Sequence, residues 1–327
     1  MDFKDIKEYL KTDLDKVDAI MAASLASDIS LLDKTNRMLL GRSGKQIRPV
    51  LCLLAAKACS GGFITEDTLH YAAAAELLHN ATLLHDDVAD DSPVRRGAPT
   101  VMSLLGGRAS VLLGDYWLVK GMENILSCKN SSDRVIRIFS RTLADLAKGE
   151  LLQLQKAGTG DASETDYYRI IYNKTASLFV TSAESAAISV GVSPDKNIAV
   201  KKYAKCLGIA FQIRDDIFDY EDNAHIGKPA GQDLKEKKIT LPLLGALANV
   251  GDEESKRIRR MVCGIDEHPE WQNDIVEFVK MNGGMEYAEM RLREYVDNAK
   301  IALKPLGCRR EVSMLEDIAE FTADRES

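Results

Sequence analysis

"LHYAAAAELLHNATLLHDDVAD", residues 69–90, is the stretch whose reading decides the fold. Its apolar side chains recur at helical spacing with little polar interruption, and such a helix must be covered on most of its sides. That places it at the centre of a helical assembly. Its far end is different in kind. Read on to Gly97 as "LLHDDVADDSPVRRG" (83–97), the chain sets four aspartates within six residues and follows them with two arginines. An isolated acidic run is ordinarily a solvated helix face, so its meaning depends on the rest of the chain.

Helical spacing is equally clear over 3–30 and 47–60. Breaks fall at "SGGF" (60–63), "DDSPVRRGAPT" (90–100), "AGTGDAS" (157–163), "GVSPDKN" (191–197), the polar stretch 221–232, "CGIDEHPE" (263–270) and "NGG" (282–284). No window sustains the alternation of a strand, and the 327 residues contain no Pro/Gly/Ser-rich linker. The expected fold is all-α, a single large helical bundle forming one domain over residues 1–327.

Composition excludes several classes of function. A formal charge of −7 without long basic runs argues against nucleic acid, which requires Lys and Arg clustered on one face. The six cysteines form no CxxC pair and no His/Cys cluster, which argues for a reduced chain. The first twenty residues are too charged for a signal peptide, and no apolar run reaches the ~18 residues of a membrane span. The expectation is a cytoplasmic protein with no stable membrane span.

The acidic run has an echo. "HDDVADD" (85–91) and "RDDIFDYED" (214–222) both contain D-D-x-x-D at the end of an apolar helical run. On a helix, Asp86 and Asp90 project from one face with Asp87 beside them, and Asp215, Asp216 and Asp219 repeat the arrangement. Carboxylates gathered in one cavity repel one another unless cations neutralise them. Mg²⁺ suits an all-oxygen ligand set and is commonly completed by substrate phosphate oxygens. Arg95 and Arg96 follow the first cluster, and "SGKQIRP" (43–49) supplies Lys45 and Arg48 before another helix. These are the residue types that bind phosphate directly.

At this point the chain resembles a known family, the trans-isoprenyl diphosphate synthases or polyprenyl synthetases. The resemblance is carried by "GKQIRP", "ELLHNATLLHDDVADDSPVRRGAPT", "LLGDYWL", "NKTASLF", "FQIRDDIFDY" and "GKPAGQDLKEKKITLP", in the family's order. It implies a helical bundle around a central cavity, usually a homodimer, in which isopentenyl diphosphate is condensed head to tail with an allylic diphosphate such as farnesyl or geranylgeranyl diphosphate. Asp86, Asp87, Asp90, Asp215, Asp216 and Asp219 would hold several Mg²⁺ ions on the allylic diphosphate. Arg95, Lys174, Lys228 and Lys238 match positions that contact the same group. Lys45, Arg48, His79 and Arg96 match the pocket for isopentenyl diphosphate. Thr175 and Gln212 match positions beside the cationic carbon. One departure is visible: the family usually has Glu-Gly-Lys where this chain reads "EKK", with Lys237 in place of the glycine.

Product length is expected to follow the helix before Asp86. Thr82, Leu78 and Ala75 share the face of Asp86 in a column extending ~16 Å at about 1.5 Å per residue. By resemblance, positions four and five before the first aspartate gate a product tunnel, and short-chain enzymes carry aromatics there. This chain has Thr82 and Ala81, with Leu78 next along the column. The implied product is a long all-trans chain of roughly C30–C45, of the kind used for quinone side chains, whose release implies transient membrane contact. Geranylgeranyl diphosphate is the rival product. A terpene cyclase, a phosphohydrolase using His85 and a non-catalytic partner subunit are rival functions. Tyr167, Tyr168 and Tyr172 read as packing residues.

Overall fold

The structure is a computed structural model and describes residues 2–42, 44–95, 97–130, 132–221 and 231–325. Its first helices are α1 (Phe3–Tyr9), α2 (Lys11–Leu25), α3 (Ser30–Leu40), α4 (Ile47–Ser60) and α5 (Glu66–Ala89). A small antiparallel hairpin, β1 (Val94–Arg95) and β2 (Ala98–Pro99), precedes α6 (Val101–Leu105), α7 (Gly107–Leu126) and α8 (Ser132–Thr159). Then come α9 (Glu164–Ile171), a π-helical turn (Tyr172–Ala176), α10 (Ser177–Ser189), α11 (Pro194–Phe218), α12 (Gln232–Lys235) and α13 (Leu241–Ala248). The remainder is α14 (Asp252–Cys263), α15 (Trp271–Met281), α16 (Gly284–Ala302), a 3₁₀ turn (Lys304–Leu306) and α17 (Arg310–Asp324).

The all-α expectation holds, and the Gly-, Pro- and Asp-rich breaks among the described residues mark helix ends; residues 222–230 of the polar stretch 221–232 lie outside them. Two details differ. The stretch 3–30 is two helices that turn at the fully buried Leu10, and the second ends at Leu25, whose orphan carbonyl accepts the Asn36 side-chain amide (2.7 Å). The loop 90–100 contains the hairpin, too short to leave an alternating pattern.

The chain divides into two compact units: residues 1–140, 181–201 and 305–315 in one, and 141–180, 202–304 and 316–327 in the other. The divisions inside α8, α10, α11 and α17 leave no linker between them.

In the first unit α5 is the centre, packed by α2, α4 and α7. It starts at Thr65, whose hydroxyl accepts the Thr68 N–H (3.2 Å), and carries Glu66 and Asp67 at its electropositive end. Ala72 to Ala75, Leu77, Leu78 and Ala81 are completely buried. Each buried leucine contributes roughly 1.5–3 kcal/mol. The small residues bring α7 close: a Cβ added at Gly121 would lie 3.4 Å from the Ala74 carbonyl oxygen. Trp117 of α7 is buried, and its indole N–H donates to Asn36 (2.8 Å).

In the second unit α13 is buried from Leu241 to Leu247 and packs on α16. α11 approaches the π-helical turn at Gly208, where a Cβ would lie 2.6 Å from the Ala176 Cα. Among the described residues no helix is long and apolar enough to cross a membrane. All six cysteines are free.

Candidate active site

Both aspartate motifs stand at helix C-termini, the end where unsatisfied carbonyls already concentrate negative charge. An acidic residue in the last turn costs roughly 0.3–1 kcal/mol instead of stabilising the helix. Three such residues at each of two helix ends form a placement that positive charge or N–H donors must offset.

The first constellation belongs to the first unit. α5 closes through Asp90, whose N–H donates to the Asp86 carbonyl (2.8 Å), and Asp91 turns left-handed at φ +46° so that the Ser92 N–H reaches the Asp87 carbonyl (2.9 Å). The chain then folds back through the hairpin. Arg95 thereby returns its Nε to the buried Asp87 carboxylate at 2.6 Å. Asp86 is half-buried and Asp90 exposed.

His85, beside these aspartates, points away from them toward α7, 3.2 Å from Asp115 and 3.3 Å from the Val111 carbonyl. Gly114 leaves it the room. Lys45 is exposed, while Arg48 and His79 are half-buried. The start of α4 that carries Lys45 and Arg48 is fixed by Gln46, which is left-handed (φ 55°) and buried; its amide donates to Asp18 (2.7 Å) and its oxygen accepts Lys7 Nζ (3.3 Å). Leu78 and Ala81 are fully buried, and the half-buried Thr82 donates its hydroxyl to the His79 carbonyl (2.8 Å).

The second constellation belongs to the second unit. Asp216 is buried; its Oδ2 accepts the Tyr167 hydroxyl (2.6 Å) and its Oδ1 the Gln212 amide (2.9 Å). Gln212 in turn accepts the Thr175 hydroxyl on Oε1 (2.7 Å). Asp219 caps α12, its two oxygens accepting the N–H groups of Gln232 (2.9 Å) and Asp233 (3.0 Å). Asp215 pairs with Arg325 at 2.5 Å, and that guanidinium lies over the Phe211 ring, 3.8 Å from its centre.

Burial pushes the Asp216 carboxyl well above the usual range, reinforced by Asp233 and opposed by its own donors. The same causes raise Asp219 to about 6. Desolvation and crowding outweigh the hydrogen bonds at both carboxyls.

Lys174 and Thr175 lie in the π-helical turn, where one extra residue per turn shifts side chains off the regular helical face. Lys174 is held by Glu150 (2.6 Å) and Gln153 (3.0 Å) of α8, which comes close because position 149 is glycine. Lys238 pairs with Asp233 (3.4 Å) and Glu236, on the side of Asp219. Lys237 turns to Asp266 instead (2.5 Å). It is Lys238 that stays with the aspartates. Lys237 also explains the departure in the motif, since its φ of +55° is the left-handed conformation that glycine adopts without strain.

Among the described residues no three His, Cys, Asp or Glu side chains converge as a complete metal cage. The donor set fits Mg²⁺ nonetheless. All donors are oxygens, and an ion of this kind is commonly held by one or two carboxylates with phosphate oxygens completing the shell.

Arg96 and Lys228 lie outside the described residues. Two residues of the second constellation escaped the reading of the sequence. Tyr167, whose spacing with Tyr168 and Tyr172 reads as packing, donates to Asp216, and Arg325 pairs with Asp215. Neither carries a local signal, because the first stands 49 and the second 110 residues from its partner.

Residues 29–279 match the family model described as polyprenyl synthetase. The chain is 35% identical over 308 residues to octaprenyl diphosphate synthase of Escherichia coli (strain K12), covering 94% of each. It is 34% identical to an all-trans-nonaprenyl-diphosphate synthase (geranyl-diphosphate specific) of Rhodobacter capsulatus, covering 99% of each. The crystal structure of a decaprenyl diphosphate synthase from Rhodobacter capsulatus is similar with a TM-score of 0.93 at 33% identity, covering 100% of both chains.

Proposed function

The chain belongs to the polyprenyl synthetase family and is a prenyltransferase, and on that premise we propose that it condenses isopentenyl diphosphate head to tail with farnesyl or geranylgeranyl diphosphate, giving an all-trans product within C30–C50. The observation that carries this reading is the pair of DDxxD motifs, each at the electronegative end of a helix and each accompanied by Arg or Lys.

In this reading Asp86, Asp87 and Asp90, with Asp215, Asp216 and Asp219, hold Mg²⁺ on the allylic diphosphate. When bound, Mg²⁺ neutralises charge that builds on the leaving diphosphate. Arg95, Lys174 and Lys238, with Lys228, take the remaining phosphate oxygens. The half-exposed pairs of Lys174 with Glu150 and Lys238 with Asp233 are weak enough for a phosphate to displace. Lys45, Arg48, His79 and Arg96 bind isopentenyl diphosphate. The allylic C–O bond breaks to give diphosphate and a delocalised cation beside Thr175 and Gln212, the isopentenyl double bond forms the new C–C bond, and the released diphosphate takes the proton whose loss restores an allylic diphosphate. No protein nucleophile is required. Electrostatic preorganisation supplies the rate.

Small or half-buried residues before the first aspartate, Ala81 and Thr82, favour a long product over the C20 alternative. We place the reaction in one polyprenyl synthetase domain, in the cytoplasm, with product released by transient membrane contact. A homodimer is supported by Leu112, Val119 and Leu126, which repeat every seven residues along α7 and are 59%, 51% and 60% exposed.

Incorporation of labelled isopentenyl diphosphate by the purified protein tests the function. It should require Mg²⁺ and fall by at least about a thousandfold in Asp86→Ala and Asp215→Ala, given that transition-state charge stabilisation of this kind carries several kcal/mol. Incorporation that survives either substitution would remove the aspartates from the mechanism.

A further inference from the structure

Thr175, Gln212, Asp216 and Tyr167 form a single hydrogen-bonded chain whose direction is dictated at its buried end. Tyr167 is 3% and Asp216 3% exposed, whereas Gln212 and Thr175 are half-buried. As a ligand of Mg²⁺ in the reading above, Asp216 is ionised, and a carboxylate only accepts hydrogen bonds. Asp216 therefore takes the Tyr167 O–H on Oδ2 (2.6 Å), and on Oδ1 (2.9 Å) it obliges Gln212 to present its NH₂ rather than its oxygen. With its nitrogen committed there, Gln212 has only a carbonyl oxygen to offer Thr175. The Thr175 hydroxyl must then donate its proton to that oxygen, which it does at 2.7 Å. Once that proton is committed, the lone pairs of Thr175 Oγ1 point elsewhere.

This direction matters for a reaction that forms a carbocation. A freely rotating hydroxyl would turn its proton toward solvent or toward an anion as readily as its lone pairs toward a cation. A hydroxyl whose proton is held presents a fixed negative end, and a fixed dipole needs no reorganisation at the moment of reaction. The elements that build the chain are themselves constrained. Gly208 lets α11 close on the π-helical turn at Ala176, and Gln212 stands one helical turn further along the same helix.

We propose that Tyr167 is a positioning residue, which acts through Asp216 and Gln212 to hold the Thr175 hydroxyl with its lone pairs toward the cationic carbon of the allylic substrate. The inference rests on the reading above that puts Thr175 and Gln212 beside that carbon. Tyr167 itself touches no substrate. Its phenol pins the Asp216 carboxylate in the orientation that sets the amide of Gln212, and a phenylalanine there would leave the carboxylate free to turn.

The test is calorimetric and needs no turnover. Two ligands are compared on the full-length protein with Mg²⁺: an ammonium analogue of the allylic cation with inorganic diphosphate, and an allylic thiolodiphosphate of the same chain length, which carries no positive charge at the allylic carbon and whose C–S bond does not ionise. Tyr167→Phe keeps the ring, and should weaken the ammonium ligand about tenfold, the size of one hydrogen bond serving a charged group, while the thiolodiphosphate changes less than about twofold. Thr175→Val should show the same selective loss and Thr175→Ser should not. The double variant Tyr167→Phe/Thr175→Val should lose no more than the worse single, because both changes break one chain. Equal weakening of both ligands, or additive losses, would overturn the inference and leave Tyr167 a packing residue. Failure of the unmodified protein to bind the thiolodiphosphate would instead remove the functional reading on which the inference stands.

Discussion

Lys237 has a φ of +55° and Asp219 a carboxyl raised to about 6, and each makes a prediction at the scale of one residue. In the left-handed region a Cβ costs ~1 kcal/mol, whereas in right-handed backbone glycine is the less stable choice. Lys237→Gly and Lys237→Ala both lose the ion pair with Asp266, so their difference isolates the backbone. The glycine variant should be the more stable by ~1 kcal/mol in urea, and the reverse order would deny the left-handed conformation.

For Asp219 the folded value lies above the unfolded 3.8, so the folded protein binds the proton more tightly. Stability from this group is therefore greatest below about pH 4, falls as pH rises to about 6, and stays low above that. In metal-free protein Asp219→Asn should flatten that decline, so the Tm of the variant gains on the unmodified protein across the window. Parallel curves would contradict it. The aspartates themselves were legible in the sequence because D-D-x-x-D is a local pattern. Tyr167 and Arg325 were not, since a hydrogen bond or ion pair spanning the fold leaves no spacing to read.

Helix ends were the legible part of the elements. Gly61 with its φ of +88° closes α4, and the polar loop after α5 announced the end of the first motif. The π-helical turn at Tyr172–Ala176 was invisible, because "YNKTA" has no residue that forbids a regular helix; what selects the turn is packing from α8 and α11. Two glycines show the difference between structural need and mere tolerance. Gly208→Ala would set its Cβ 2.6 Å from the Ala176 Cα, where neither backbone can yield, whereas Gly158→Ala meets nothing within 4 Å. Overpacking should cost the first ~1–3 kcal/mol, and the gain in helix propensity should stabilise the second by up to ~1 kcal/mol. Thermal unfolding of the two variants side by side checks the pair. A stable Gly208→Ala protein would mean that α11 does not lie against the π-helical turn as described.

At the scale of the whole molecule, the all-α class followed from periodicity and composition, but the division into two compact units did not, because four of its five boundaries run through helices that read as continuous. If the proposed homodimer forms through the exposed heptad of Leu112, Val119 and Leu126 on α7, light scattering should give a dimer mass for the unmodified protein and a monomer mass for Leu112→Lys with Val119→Lys. An unchanged mass would place the contact on another face. The most direct test of the central claim is the length of the product. Purified protein with Mg²⁺, farnesyl diphosphate and labelled isopentenyl diphosphate should give a ladder ending within C30–C50, shortened when Ala81 is replaced by phenylalanine. A ladder that stops at C20 in the unmodified protein would contradict the long-chain assignment, and no incorporation at all would contradict the prenyltransferase reading itself.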